Sequence, residues 1–324
     1  MKNIIIVCIC VFVFSCNKTP KNTALKGSVF GTTYSIIYNS EVNFEQQLDS
    51  LFFEINKSLS TYQENSIISK INRGELVDTD KHFEKVFKAS KKIFYDTEGA
   101  FDPTIGAVVN AWDFGPEGKI SNLDSLKIDS LMVSVGFDKI LRINNQLIKP
   151  KDAFIDFNAI AKGYGVDVVG EFLESKNIKN YLVEIGGEIR VKGINAEKQQ
   201  EWKVGVEKPN FDGEQSILKA ITLKDEAMAT SGTYRKFKID EKGNKYAHII
   251  DTKTGYPSKT NLLSVSVITK NCMIADAYAT AFKAMGIEKV KAFLKFHQEL
   301  KVFLIFENDE KEFETVSLNN FPES

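Results

Sequence analysis

Helical and strand periodicities alternate irregularly along this chain, and that irregularity constrains the fold more than any other feature. Phe44, Leu48, Leu51, Phe52, Ile55 and Leu59 recur at three- and four-residue steps, so 43–59 reads as an amphipathic helix. Further helices are expected over 82–95, 121–135, 160–175, 273–285 and 287–297. A short one should open at Asp102-Pro103, since proline is favoured in a first helical turn. Strands are expected over 28–38 with a turn at Gly31, near 139–149, at 153–156, 180–185 and 188–192, and over 202–207, 216–223, 246–250, 263–269, 300–306 and 312–317. The Gly186-Gly187 pair joins two of these as a two-residue hairpin signal. Strict βαβ alternation would imply a parallel sheet. Its absence argues an α+β fold with a mixed, largely antiparallel sheet and packed helices.

The first residues differ from the rest. Lys2 precedes an uncharged apolar run from Ile4 to Phe14, too short to span a bilayer, which needs about 20 residues. It fits the hydrophobic region of a secretory signal. Ser15-Cys16 then resembles a bacterial lipobox, so 1–15 is expected to be a lipoprotein signal peptide, Cys16 the lipidated first residue and 16–26 a tether ahead of one domain over 27–324. An ordinary signal peptide with an incidental cysteine is the alternative. Cys8, Cys10 and Cys16 all lie in the leader region, and the single remaining thiol, Cys272, supplies neither a disulfide nor a Cys-rich metal site. With 42 basic and 43 acidic residues and no basic run in the body, the chain lacks the footprint of a nucleic-acid partner.

No phosphate-loop or His-Glu-x-x-His motif is present, and three histidines (His82, His248, His297) make a His-rich zinc site improbable. Four stretches have unusual polar density. Gly99 to Gly106 precedes Trp112-Asp113-Phe114-Gly115. Asp156 to Gly165 carries Lys162 as its one cation between small residues, and reads equally as a strand-to-helix connection. Thr230 to Arg235 offers hydroxyls, exposed amides and a guanidinium suited to phosphate, or a polar turn. Downstream of it, His248 precedes an Asp251-x-x-x-Gly255 turn, where a lone histidine is often structural. In the fourth stretch Asp276 and Thr280 lie four apart on one helical face, a carboxylate and a hydroxyl suited to a hard cation such as Mg²⁺ or, alternatively, to a helix-start dipole partner.

Taken in order, these motifs resemble the ApbE family, the FAD:protein FMN transferases. The resemblance rests on Gly31-Thr32-Thr33-Tyr34, Ser60-Thr61-Tyr62, Gly99 to Thr104, Asp156 to Gly165, Glu184 to Gly187, Thr230-Ser231-Gly232, His248 to Gly255 and Asp276 to Thr280, and it runs from about Gly27 to the C-terminus. It implies a T-fold-like α+β domain, FAD as substrate and one Mg²⁺. Asp276, Thr280 and the Ala159 carbonyl would hold the metal. Phe30, Tyr62, Ala100, Phe101, Asp102, Asp156, Lys162, Ser231 and Ile250 would contact FAD, and His248 with Asp251 would serve catalysis. Phe30 stands where many members carry Met, and Thr252 where many carry Pro.

The implied activity is transfer of FMN from FAD to a threonine or serine hydroxyl, releasing AMP. Its partners would be membrane flavoproteins of Na⁺-translocating or electron-transfer complexes, with an acceptor near Asp-x-x-[Ser/Thr]-Gly-Ala-[Ser/Thr]. The enzyme itself would be exported and held by its lipid at the periplasmic side of a bacterial membrane. An FAD pyrophosphatase giving AMP and FMN, or a non-catalytic flavin-binding lipoprotein, are the alternatives.

Overall fold

Residues 21–234, 237–239 and 245–323 are described by a computed structural model. Cys16 and Arg235 lie outside them. The chain enters through β1 (Thr23–Val29) and β2 (Thr32–Tyr38), then α1 (Glu45–Leu59), α2 (Ile67–Asn72), α3 (Lys81–Asp96), α4 (Gly106–Ala111) and α5 (Ser125–Met132). The small hairpin β3 (Leu141–Ile143) and β4 (Gln146–Ile148) leads to α6 (Ala161–Ser175), β5 (Tyr181–Ile185), β6 (Glu188–Lys192), β7 (Ile194–Asn195), β8 (Gln200–Glu207), β9 (Ile217–Leu223) and β10 (Ala227–Gly232). Then come β11 (Phe237–Ile239), β12 (Lys245–Ala247), β13 (Leu262–Thr269), α7 (Cys272–Met285), α8 (Ile287–Leu294), β14 (Lys301–Glu307) and β15 (Phe313–Leu318).

The main sheet has eight strands in the order β1-β2-β5-β6-β10-β13-β14-β15, with every neighbour antiparallel. Both of its faces are covered. On one side α6 and α7 pack through Val166, Val169, Ala275, Ala279 and Phe282 against Val183, Ile185, Ala229, Val265 and Val267. On the other, the three-stranded sheet β7-β8-β9 places Trp202, Val204, Val206, Ile221 and Leu223 against Ile189, Val191, Met228, Ile268 and Ile305. Two-sided cover explains β13, which is buried along almost its whole length instead of alternating with solvent.

Several local boundaries differ from the sequence reading. The strand expected over 28–38 is a hairpin, because Phe30 (φ 51°) and Gly31 (φ 73°) form a two-residue turn of positive φ. Its first strand begins at Thr23, so residues 23–26 belong to the sheet and not to the tether. Asp102-Pro103 does not open a helix. The Asp102 carboxylate instead accepts from the Thr104 amide (2.9 Å) and hydroxyl (2.7 Å), and α4 starts at Gly106. The helix expected over 121–135 is confined to Ser125–Met132, capped by Asp124, and the strand expected over 246–250 is limited to Lys245–Ala247. Strand β10 went unpredicted.

Candidate active site

Strand period fixes one wall of the site. In β6, Ile189 and Val191 point to the three-stranded sheet, so Glu188 and Arg190 face the helices. Glu188 meets Lys162 at the start of α6 in a close ion pair through Oε1, while its Oε2 is buried with no hydrogen-bond partner. Small side chains then let α7 approach. Ala227 and Ala229 of β10 lie under it, and Gly163 of α6 faces it so closely that a Cβ there would sit 2.4 Å from the Cys272 carbonyl oxygen. In that gap the Gly163 amide donates to Asp276 Oδ2 at 3.0 Å, and the next turn of α7 brings Thr280 Oγ1 within 3.0 Å of Ser231 Oγ on β10.

These elements surround a cleft of about 590 Å³. Its floor and walls include Ala100, Phe101, Asp102, Asp156, Ala159, Lys162, Ser231, His248, Ile250, Asp276 and Thr280. Residues separated by nearly two hundred positions thus share one space, as the motif reading expected. Asp156 accepts from the Asn158 amide (2.7 Å) and side chain (3.0 Å), which shapes the turn leading to Ala159. The backbone ladder of α6 opens with Tyr164 N–H to Ile160 O, so Ala159 lies just ahead of it, facing the cleft. His248 sits edge-on to the Phe114 ring, with centroids 6.2 Å apart.

Three of the expected residues stand off the cleft lining. The Phe30 ring packs edge-on against Phe52 at 5.7 Å and over Gly165, where a Cβ would come within 2.6 Å of it. Tyr62 is 62% exposed at the turn after α1. Asp251 accepts from the Lys253 and Thr254 amides (2.8 and 3.2 Å) and so shapes its own turn. That turn is pinned by Thr252 Oγ1 to the Gly99 carbonyl (2.5 Å) and by Trp112 Nε1 to the Gly255 carbonyl (2.8 Å).

The described lining carries the carboxylates Asp102, Asp156, Glu184, Glu188, Glu207 and Asp276 together with Lys162 and His248. Burial works against the Lys162 ammonium, but Glu188 and Asp276 outweigh it and raise its pKa above the ordinary value. Two carboxylates sharing one ammonium are themselves under-compensated. Burial raises both, Lys162 opposes, and each of the pair is pushed above the usual carboxylate range. Asp102 is likewise raised by burial, against the two bonds from Thr104. Asp276 is 4% exposed and has no ion-pair partner among the described residues.

The donor set suits a hard cation. Asp276, Thr280 and Ala159 all line the cleft and offer oxygen donors, and a buried carboxylate that shares one ammonium with a second carboxylate is under-compensated unless a further cation meets it. No cluster of three His, Cys, Asp or Glu side chains that could hold a metal ion occurs among the described residues.

Glu188 escaped the sequence reading, and Glu184 entered it only within the Glu184 to Gly187 motif, with no role assigned. The period-two alternation after Gly187 was the available signal, since it places Glu188 and Arg190 together on the face opposite Ile189.

Known proteins resemble this chain in sequence and in fold. The Vibrio cholerae FAD:protein FMN transferase is 35% identical over 319 residues, 94% of each chain. The Haemophilus influenzae FAD:protein FMN transferase is also 35% identical, over 95% of this chain and 93% of its own. The solved flavin transferase ApbE from Vibrio cholerae superposes with a TM-score of 0.83 at 34% identity, covering 92% of this chain and 97% of that one. The fold is thus the α+β fold of a class of transferase enzymes. The ApbE family model matches residues 30–304, and the chain belongs to the ApbE family.

Proposed function

We propose that this enzyme transfers FMN from FAD to a threonine or serine hydroxyl of an acceptor flavoprotein, with Mg²⁺, releasing AMP. One observation carries the metal requirement. Asp276 is buried next to Thr280 and shares the Lys162 ammonium with Glu188, so a pyrophosphate brought to this wall would add negative charge that a bound cation is suited to offset. Asp276, Thr280 and the Ala159 carbonyl are the residues that would hold it, and when bound the ion would neutralise charge on the phosphates.

The chain's own groups then divide the work. Lys162, fixed by Glu188, directs an ammonium at the phosphate region. Asp102, Asp156, Ser231, Ile250 and the Ala100-Phe101 segment line the space for the nucleotide, with Phe30 and Tyr62 flanking it from outside the lining. The acceptor hydroxyl oxygen forms a bond to the phosphorus on the riboflavin side, and the bond from that phosphorus to the AMP oxygen breaks. His248 takes the hydroxyl proton, and Asp251 shapes the turn that follows it in the chain. Incubation with FAD, Mg²⁺ and an acceptor domain, followed by mass spectrometry, tests the reading. The acceptor should gain one FMN, and an unmodified acceptor would count against it.

We further propose that Cys16 carries lipid and anchors the enzyme on the exported face of a bacterial membrane. No helix of the described residues is long and apolar enough to cross a membrane itself. Cys16→Ser should abolish uptake of labelled fatty acid, and retained labelling would refute the anchor.

A further inference from the structure

Helices α6 and α7 cap each other. Neither begins with a side chain of its own that serves its free amides: Ile160 precedes α6, and Asn271 precedes α7 without a side-chain bond. The first-turn donors of a helix need partners when buried. Here the Gly163 amide of α6 bonds to Asp276 of α7, and the Cys272 and Met273 amides of α7 bond to the two oxygens of Asp167 on α6, at 3.0 and 2.9 Å. The two links are one helical turn apart on each helix. They therefore oppose sliding and rotation of one helix against the other.

Asp167 is 1% exposed. Burial raises its carboxyl pKa, and the two amides and Arg190 oppose that. Arg190, projecting from β6 beside Glu188, donates to Asp167 Oδ1 at 2.8 Å and to Glu174 Oε1 at 2.9 Å. The clamp thus extends from α7 through α6 into the sheet. Ala159 and Lys162 are carried at the start of α6, and Asp276 and Thr280 on α7, so the spacing between the two halves of the site is the spacing that this clamp sets.

We propose that Asp167, held by Arg190, is a positioning residue for the cation site: it touches no substrate, but fixes the distance between the Ala159 and Asp276/Thr280 ligands. This rests on the reading of those residues as metal ligands. Residues that orient ligands from behind typically contribute about 10- to 100-fold to metal affinity.

The test uses the folded chain without FAD and Mn²⁺ as probe, with bound and free ion separated by electron paramagnetic resonance. Asp167→Asn keeps the shape of the side chain but replaces one acceptor oxygen by a donor. It should weaken Mn²⁺ binding about 10- to 100-fold, shift the Mg²⁺ concentration for half-maximal FMN transfer by the same factor, and recover turnover at saturating Mg²⁺. Wild-type Mn²⁺ affinity together with a lowered melting temperature would show a helix cap alone and overturn the proposal. If Asp167→Asn does not fold, Arg190→Lys should still weaken Mn²⁺ binding, by a smaller factor, and unchanged affinity there overturns it equally. Failure of the unaltered protein to bind Mn²⁺ would instead sink the underlying metal reading, a separate and visible result.

Discussion

The Gly163 amide donates a 3.0 Å hydrogen bond to the Asp276 carboxylate across 113 residues of sequence. The contact exists because residue 163 is glycine. Any Cβ there would lie 2.8 Å from the Asp276 Cβ and closer still to the Cys272 carbonyl, so the helices would have to part. One oxygen of Asp276 is engaged in this way on the wall of the cleft, which ties α7 to the first turn of α6.

Asp276→Ala should abolish FMN transfer at all accessible Mg²⁺ concentrations, and Thr280→Val should raise the Mg²⁺ needed for half-maximal rate by a smaller factor. Removing a charged ligand should exceed the about 10- to 100-fold loss typical of residues that merely support one. Titration of rate against Mg²⁺ for both variants checks this. Full activity of Asp276→Ala at low Mg²⁺ would contradict the assignment.

His248→Ala should bind FAD with nearly normal affinity yet transfer FMN about 10²–10⁴-fold more slowly, as expected for loss of a proton acceptor. If His248 only braced the turn before Asp251, melting temperature and FAD affinity would fall together and the rate of bound enzyme would hold. Single-turnover rate, FAD affinity and melting temperature on one preparation separate the two.

Lys283 makes a pH prediction. It is 1% exposed, its Nζ donates to Thr260 Oγ1 at 3.1 Å and to no other atom among the described residues, and burial pushes its pKa down to about 8. The unfolded chain, with a lysine pKa of about 10.4, therefore binds more protons than the folded one between these values, and stability from this group rises with pH across that window. Holding the buried ammonium charged below pH 8 costs roughly 3 kcal/mol. Lys283→Met should raise the melting temperature at pH 7 and reduce the gain in stability between pH 8 and about 10.4. A lower melting temperature at pH 7 with the pH slope retained would show that the ammonium is not the cost.

Much of this was legible in the sequence where one periodicity dominated, as in 43–59 and in the Gly186-Gly187 hairpin. Strand β10 was not. Ala227-Met228-Ala229-Thr230-Ser231-Gly232 has one β-branched residue, Thr230, and no aromatic to mark a strand, and its small residues serve instead the close approach of α7. The site motifs could be grouped by order and residue type, and the cleft does bring most of them together. The clamp through Asp167 could not be read, because an aspartate inside a helical pattern gives no sign that it serves amides 105 and 106 residues away. Nor could Asp251 be told from a cleft residue, since an Asx turn and a catalytic aspartate share the same local sequence.

The central claim is most directly tested by stoichiometry. The enzyme, FAD, Mg²⁺ and an acceptor domain bearing the threonine or serine should be incubated together, with AMP, free FMN and acceptor-bound FMN quantified from one reaction. Transfer predicts one AMP released for each FMN attached to the acceptor and little free FMN. AMP matched by free FMN, with the acceptor unmodified, would contradict the account and identify the hydroxyl that enters the cleft as that of water.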